Sequence, residues 1–419
     1  MISTKGIEMR KIPALLLLIA ITLSLSSCVA FWPSIFDEAM SSSPSYSGLT
    51  AEEVQNMINN SMTGNNITVQ GGDNNYITIE NGSNTVSASK ALLCTVSIIC
   101  NNSAGSGVIY KLDKEKGDAY IITNYHVVYD AKSTNANKIS TSINCLLYGQ
   151  EFIDYAIPAT YVGGSMQYDL AILKVTGSRI LVESNAMAAE FADSNEVSVL
   201  ETAIAIGNAQ GEGISVTGGV ITVDSEELSI QIADNSEYIQ MRVMRTDAAV
   251  NSGNSGGGLF NGKGQLIGIV NAKVISSSVE GMGYAIPSNV VKYVADNILY
   301  YCDGKTAENP YRCLLGITVY GMKYYTVYDE ETGKLLKREI VQIQSLTDTS
   351  IAKGKLQAGD IIQYITIHGQ TYSVFHMYNV VDIMLNARVG DTVTFGILRG
   401  EEQLVVDILI TESALTLWK

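Results

Sequence analysis

The sequence predicts a mainly β protein with two globular units, and three observations support this. Glycine is abundant at 37 residues and proline scarce at 6, a composition that favours tight turns between strands. From residue 89 to residue 302, short apolar runs recur between turn residues, as in β-barrels and sandwiches. A polar break at Asp303–Pro310 then precedes a second unit, residues 311–411. The apolar runs of the first unit are Leu92–Ile99, Gly107–Tyr110, Tyr120–Thr123, Ala156–Val162, Leu170–Val175, Ala203–Ile206, Gly219–Val223 and Leu266–Val270.

Each unit also contains one predicted helix. Val290–Leu299 places three valines and an isoleucine on one face, and Ser288 could cap it. A second helix is predicted near Tyr378–Ala387. The strands predicted for the second unit are Leu315–Val319, Ile340–Ile343, Ile361–Ile367, Thr392–Leu398 and Leu404–Ile410.

The composition excludes some classes of function. Hydrophobic residues make up 46% of the chain and charged residues 16%, which suits a globular protein with a sizeable core. The formal net charge is −15, and basic residues form no cluster. Because phosphate binding needs concentrated Lys and Arg, this composition argues against a nucleic-acid partner.

The N-terminal segment resembles a bacterial lipoprotein signal. Three basic residues precede the apolar stretch Ile12–Leu25, which is too short for a comfortable membrane span and suits a secretion signal. Two serines and Cys28 follow, as in a lipobox, whose cysteine receives lipid. We therefore expect a signal peptide at residues 1–27, a lipid anchor at Cys28 and an extracytoplasmic location at the cell membrane. An ordinary signal peptide, or a short anchor with an incidental cysteine, is the alternative.

Residues 28–88 are predicted to form a polar tether. Ser41–Ser45 suits a flexible linker, and Thr50–Met62 has weak helical spacing. The Asn- and Gly-rich stretch Asn65–Asn84 is either a small hairpin or a polar spacer, and we favour the spacer.

The remaining cysteines leave two alternatives open. They are Cys94, Cys100, Cys145, Cys302 and Cys313, and an odd number excludes complete intramolecular pairing. Cys94 with Cys100, and Cys302 with Cys313, could close small loops in an oxidising compartment, or the thiols could be free and buried. None has zinc-like spacing. The sequence shows no other metal constellation, so no metal is expected, and no cofactor is required.

Three residues are candidates for nucleophilic catalysis. His126 follows a strand at a turn, where an imidazole could be held exposed, although a lone histidine is more often structural. Asp169 precedes an apolar strand and could accept a hydrogen bond from an imidazole, although such an aspartate is usually a cap or surface residue. Ser255 lies in the run Gly253-Asn254-Ser255-Gly256-Gly257. The order His, Asp, Ser is that of chymotrypsin.

In that order, the three residues match the requirements of acyl transfer. Ser255 would attack the carbonyl, His126 would take its proton and return it to the leaving amine, and Asp169 would fix the imidazole tautomer. Backbone N–H groups in the segment Gly253, Asn254, Ser255, chiefly those of Gly253 and Ser255, would bind the developing oxyanion. A Gly-rich turn without catalytic role is the alternative for this segment.

Six ordered segments resemble the HtrA/Deg serine proteases, trypsin-like proteases followed by PDZ domains. The resemblance covers about Ala91 to Thr411 and implies two six-stranded antiparallel β-barrels of chymotrypsin-like fold, then a PDZ-like β-sandwich or barrel with one or two helices. The segments are Thr123–Val128, Asp169–Val175, Ala205–Asn208, Ser215–Ile221, Thr246–Gly257 and Gly283–Pro287.

Three positions depart from the family's pattern. Ser252 stands where the family usually has Pro, Gly258 where it has Pro or Ala, and Ala209 replaces a Pro. Because Pro restricts φ and Gly does not, the backbone of the Ser255 loop should be less restricted in conformation. We therefore expect a loop that orders only on activation.

The resemblance also implies where substrate binds. Ile269, Val270, Asn271 and Ala272 would pair with an extended substrate strand, and Lys273 would border the S1 pocket but point to solvent. Without a charged residue at the base of that pocket, small or medium aliphatic side chains are expected there.

The C-terminal unit resembles a PDZ domain. The segment Leu314, Leu315, Gly316, Ile317 looks like its carboxylate-binding loop, and Leu356–Ile362 matches a common PDZ turn. The unusual Tyr320–Lys337 stretch predicts an extended hairpin loop, and both remaining histidines suit surface or packing positions.

The resemblance therefore implies an ATP-independent endopeptidase that degrades misfolded or exported proteins at the outer face of a membrane. The expected partners are unfolded proteins, peptide C-termini at the PDZ unit, the membrane through the anchor and, as often in the family, two further copies in a homotrimer. A catalytically gated or inactive chaperone or scaffold is the main alternative. A secreted glutamyl-endopeptidase-like enzyme is a third, weakened by the second unit.

Overall fold

The computed structural model describes residues 67–70, 76–79, 84–150, 153–272, 282–305 and 309–418. The predicted signal peptide, Cys28, most of the tether and Lys273 lie outside these residues. Two compact units are present, residues 1–80 and 81–419. In the first, β1 (Ile67–Gln70) pairs antiparallel with β2 (Tyr76–Ile79), so the predicted polar spacer is wrong there and the hairpin alternative is correct.

The second unit begins with α1 (Asn84–Leu93) and an antiparallel sheet that curls into a half-barrel. The strands of this sheet are β3 (Thr95–Cys100), β4 (Ala104–Asp113), β5 (Asp118–Thr123), β6 (Ile143–Leu147), β7 (Ile157–Pro158), β8 (Thr160–Ser165) and β9 (Leu170–Val175). They lie in the order β7-β6-β3-β4-β5-β9-β8. The sheet has seven strands instead of the expected six because β7, of two residues, pairs with the edge of β6.

The central strands of this sheet are apolar on both faces because each face lies against a core. Ile121 and Leu173 belong to the core inside the curl, whereas Ile122 and Ile172 belong to a core shared with the following barrel. A strand buried on both sides needs apolar residues throughout, so β5 and β9 appear in the sequence as continuous runs.

A closed six-stranded barrel follows, as predicted. Its strands are β10 (Thr202–Gly207), β11 (Ser215–Gln231), β12 (Tyr238–Thr246), β13 (Gly258–Phe260), β14 (Leu266–Val270) and β15 (Gly283–Pro287). They close in the order β10-β11-β12-β15-β14-β13. Hydrogen bonding of β11 to β12 continues out to Gln231 and Tyr238, so this pair extends as a long hairpin.

Three helices accompany the barrels: α2 (Tyr125–Val128), α3 (Arg179–Glu183) and α4 (Ser288–Cys302). The apolar face predicted for α4 is buried in the shared core. Ser288 is not the cap that was expected, because it is the first helical residue and its hydroxyl donates to the Ala192 carbonyl at 2.7 Å.

The C-terminal part forms a second sheet, which packs against α5 (Met377–Met384). Its strands are β17 (Ile317–Asp329), β18 (Lys334–Leu346), β19 (Ile361–Ile367), β20 (Gln370–Ser373), β21 (Thr392–Arg399) and β22 (Glu402–Leu409). The order is β17-β18-β19-β21-β22, with β20 on β19. A separate ribbon joins β16 (Tyr311–Cys313) to β23 (Leu415–Leu417). The mainly β fold class is thereby confirmed.

The stretch expected as an extended hairpin loop is a continuous hairpin. β17 and β18 pair from Ile317↔Leu346 to Asp329↔Lys334, with two register shifts. The outer half of β17 bears exposed side chains, including Tyr324 and Tyr328. α5 ends at Met384, three residues before the predicted end, and Leu385–Ala387 continue as turns.

A buried ion pair joins the closed barrel to the C-terminal sheet. Arg242 on β12 bonds Asp382 on α5, and both side chains are more than nine-tenths buried. The guanidinium also lies 3.6 Å from the centre of the Tyr378 ring and donates to Ser225 Oγ at 3.2 Å. Burial raises the pKa of Asp382 to about 6, against the opposing attraction of Arg242.

The five described cysteines are buried free thiols, so neither predicted small-loop disulfide forms. Burial raises the pKa of Cys94 and Cys145 to about 12 and that of Cys302 and Cys313 to about 11. Within the ranges that the structure describes, no helix is both long and apolar enough to span a bilayer.

The Asp382 carboxyl should make stability depend on pH. Its native pKa is raised from 3.8 to about 6, so the native state holds this proton more tightly than the unfolded chain does. The resulting stabilisation is complete below about pH 4 and is lost by about pH 6, which lowers the free energy of unfolding by up to about 3 kcal/mol. Denaturant midpoints of the wild type between pH 4 and 7 measure this change. Asp382→Asn, which keeps an acceptor for Arg242, should lack it, and parallel curves would contradict the assignment.

Candidate active site

His126 is positioned by the short helix α2, which begins directly after β5 and Asn124. Its Nδ1 lies 2.6 Å from Asp169 Oδ2, and its side chain is 20% exposed. Because a carboxylate only accepts, the pairing places the ring hydrogen on Nδ1 and leaves Nε2 as an acceptor. A neutral imidazole of this tautomer can receive a proton.

Asp169 is buried and held by donors on both its carboxylate and its carbonyl. The backbone N–H of His126 donates to Oδ1, and the Asn271 side chain donates to Oδ2, each at 2.9 Å. The carbonyl accepts from Asn124 Nδ2 at 2.9 Å and from the Tyr125 N–H at 3.1 Å. Asp169 has a φ of 47°, a left-handed conformation uncommon outside glycine. These bonds aim the carboxylate at the imidazole.

Ser255 lies in the loop before β13 and is largely buried. Its Oγ accepts from the Ala272 N–H at 3.2 Å, and its carbonyl accepts from the Ser106 N–H at 2.8 Å. Within the described part of the chain, no hydrogen bond links Ser255 Oγ to His126. Of the three predicted residues, the structure thus brings only His126 and Asp169 into direct contact. The Ser255 hydroxyl accepts in its one bond, so its hydrogen is available to another acceptor.

Close backbone contact holds the Ser255 loop against the first sheet. Gly256 has a φ of 83°, and a Cβ there would stand 2.2 Å from the Ser106 carbonyl oxygen and 3.0 Å from Asn124 N. Asn124 is two residues before His126, so this contact brings the serine loop beside the histidine segment. No side chain fits at Gly256 without moving backbone.

Two of the three amides predicted for the oxyanion hole are free. Among the residues that the structure describes, the N–H groups of Gly253 and Ser255 have no acceptor. The neighbouring carbonyls are bonded elsewhere: that of Ser252 accepts from Gln210 N, and that of Gly253 accepts from Ser106 Oγ, both at 2.7 Å. The third predicted amide, of Asn254, already donates to the Asn251 carbonyl at 3.0 Å, so it cannot also bind an oxyanion.

The predicted substrate strand is largely unavailable. Ile269 and Val270 are buried in β14, which pairs with β13 on one side and β15 on the other. Their main-chain groups therefore cannot also bind substrate, which corrects the prediction for these two residues. The Asn271 N–H donates to the Tyr284 carbonyl, and Ala272 lies at the end of the described segment.

Two positioning residues were not identified in the sequence. Ser106 donates to the Gly253 carbonyl and accepts from Asn208 N at 2.7 Å, so its hydroxyl joins two loops of the closed barrel to the first sheet. The only feature of the sequence that marks Ser106 is its position between Gly105 and Gly107. Asn124 lies within the segment Thr123–Val128, but nothing in the sequence indicates its contact with the Asp169 carbonyl.

The predicted carboxylate-binding loop lies beside a cavity of about 520 Å³. The Leu314 N–H already donates to the Ala414 carbonyl, and Leu315 is buried in the core. Gly316 has a φ of 73°, and Ile317 is the first residue of β17. The cavity is lined by strand β17, helix α5 and strand β12 of the closed barrel, and also by Tyr168, by Val290 of α4 and by Arg312 of β16.

Comparisons with known proteins agree with this architecture. The family description "Trypsin-like peptidase domain" matches residues 105–269. The HtrA-type protease AlgW, solved with a tripeptide, is 25% identical with a TM-score of 0.50, over 80% of this chain and 97% of that one. The Do-like HtrA serine protease of Bacillus subtilis (strain 168) is 33% identical over 319 residues, 74% of this chain and 64% of the relative.

A further relative covers more of its own length. The Do-like HtrA serine protease of Lactococcus lactis subsp. lactis (strain IL1403) is 31% identical over 322 residues, which are 74% of this chain and 71% of the relative. Identity at this level over most of both chains, on a shared trypsin-like fold, confirms the resemblance found in the motifs. The chain belongs to the Do-like HtrA family of trypsin-like serine proteases.

Proposed function

We propose that this serine protease is an endopeptidase that cleaves unfolded or misfolded proteins at the outer face of a membrane, with His126, Asp169 and Ser255 as its catalytic triad. The observation that carries the proposal is the 2.6 Å contact between His126 Nδ1 and Asp169 Oδ2, which leaves Nε2 as a base. The free amides of Gly253 and Ser255 supply the second requirement, donors for an oxyanion.

The reaction proceeds in two steps. Ser255 Oγ bonds to the scissile carbonyl carbon while its proton passes to His126 Nε2, and the carbonyl oxygen becomes an oxyanion facing the amides of Gly253 and Ser255. The carbon–nitrogen bond then breaks, and the leaving amine takes the proton from the imidazolium. Water repeats the sequence on the acyl-enzyme, which releases the new carboxylate and restores the hydroxyl.

Asp169 has two functions in this scheme. Its carboxylate fixes the Nδ1–H tautomer before the reaction and stabilises the imidazolium that forms during it. The donors from His126 N and Asn271 keep the carboxylate in place through both stages.

The C-terminal sheet and α5 form, in this proposal, a PDZ-like peptide-binding domain. Supporting this, β17 is the edge strand of its sheet and lies beside α5, with the 520 Å³ cavity between them. An extended peptide could add to such an edge, with side chains in the cavity. The tripeptide in the AlgW structure shows that a relative takes short peptides. We further propose that Cys28 carries the lipid that keeps the enzyme outside the cytoplasm.

Replacement of the nucleophile tests the proposal. Ser255→Ala should lower kcat on unfolded casein by about 10⁴-fold or more, because no other group can form the acyl-enzyme. Ser229→Ala, at an exposed serine of β11, is the matched control and should retain wild-type activity. Equal cleavage by wild type and Ser255→Ala would exclude the triad. No cleavage by the wild type, alone or with activating C-terminal peptides, would favour the chaperone alternative.

Replacement of Asn271 tests the support of Asp169. Asn271→Ala removes the donor to Oδ2 and should lower kcat by about tenfold, since the carboxylate loses one of its fixed positions. Asn271→Asp should be more harmful because it places a second carboxylate against the first. The kcat values of the two variants in casein hydrolysis decide this, and equal values would contradict it.

The close approach at Gly253 provides a further test. A Cβ there would stand 2.1 Å from the Asn208 carbonyl oxygen, so Gly253→Ala must displace an oxyanion amide and should lower kcat by about 10²–10³-fold. Gly211→Ala is matched to it, because Gly211 also has a positive φ but has open space around its Cβ position. A similar loss of activity in both variants would show that backbone strain, and not the amide position, is responsible.

A further inference from the structure

Trp418 is the largest fully buried side chain of the described residues, although it follows the last strand, β23. Its backbone belongs to the C-terminal ribbon: its N–H donates to the Pro310 carbonyl at 2.8 Å, directly after the β16–β23 pairing. Its indole, however, lies in the core shared by the two barrels and α4. A side chain from one part of the molecule thus completes the core of another.

The indole packs against Tyr168, the residue before Asp169. The two ring centres are 5.1 Å apart and the planes are inclined at 55°. Tyr168 belongs to the turn between β8 and β9, which is closed by a 3.3 Å bond from Asp169 N to the Met166 carbonyl. The contact therefore acts on the turn that carries the Asp169 carboxylate.

That turn needs support from outside itself. Asp169 has a φ of 47°, and a non-glycine residue keeps this strained conformation only where its surroundings hold it. Hydrogen bonds from Asn124 and Tyr125 hold its carbonyl from the side of His126. Tyr168, the residue before Asp169, is held by its contact with Trp418, which is distant in the sequence.

We propose that Trp418 is a positioning residue for the reaction: packed on Tyr168, it holds the turn that presents Asp169 to His126. This inference rests on the proposed proteolytic function. It adds that the ribbon of β16 and β23 contributes to the geometry of the active site. The indole N–H is buried without a partner among the described residues, so Trp418 acts through ring packing.

A double-mutant cycle on full-length protein tests the inference. Trp418→Ala and Tyr168→Ala should each lower kcat for casein peptides by about 10- to 100-fold with KM within about twofold, since misplacement of a catalytic group affects the chemical step. Because both act through one contact, the double variant should lose little more than either single variant. Trp418→Phe, which keeps an aromatic ring, should retain most of the wild-type activity.

The control is Phe395→Ala, a fully buried ring in the core of the C-terminal sheet, which should destabilise the fold but preserve kcat at temperatures where the variant is folded. An unchanged kcat in Trp418→Ala, additive losses in the double variant, or an equal loss in Phe395→Ala would each overturn the inference. If Trp418→Ala does not fold, Tyr168→Leu and Trp418→Phe still decide it, because Tyr168→Leu should lower kcat and Trp418→Phe should not. Absence of serine-dependent cleavage by the wild type would instead refute the proposed function.

Discussion

The conformation of Asp169 is the constraint on which the candidate site depends. Its left-handed backbone turns the carbonyl toward Asn124 and Tyr125 while the carboxylate reaches His126. The same segment that carries the imidazole therefore holds the aspartate, and each fixes the other. Three of the four donors, the Asn124 side chain and the backbone N–H groups of Tyr125 and His126, come from the segment after β5. The fourth, Asn271, follows β14 of the closed barrel, so the complete set of bonds requires the first sheet and the closed barrel to be packed together.

The serine loop depends on that packing in a different way. Ser106, on the first sheet, bonds both the Gly253 carbonyl and Asn208, which lie on loops of the closed barrel. The carbonyls of Ser252 and Gly253 are bonded to Gln210 and Ser106, and the N–H groups of Gly253 and Ser255 have no acceptor among the described residues. These bonds restrain the loop that carries Ser252 and Gly258.

The fold class could be predicted from apolar runs between turns, which are a local signal of strands. His126, Asp169 and Ser255 could be identified as candidates because each lies in a short ordered motif. The predicted substrate strand was partly wrong, since a run such as Ile269–Val270 does not reveal that both its edges are already paired. Ser106 and Trp418 have no such signal, because their partners are far away in the sequence and the contacts exist only after folding. Element ends were also missed where tertiary contacts decide them, as at Ser288, whose hydroxyl bonds Ala192.

The buried thiols have a consequence for how the chain can mature. The thiolate is the reactive form of cysteine, and burial raises the pKa of each of the five described thiols above its ordinary value. Once folded, they exchange slowly with disulfides or oxidants, and no pairing has to be formed or reshuffled to reach this structure. The described part of the chain therefore needs no disulfide-forming enzyme to reach this architecture.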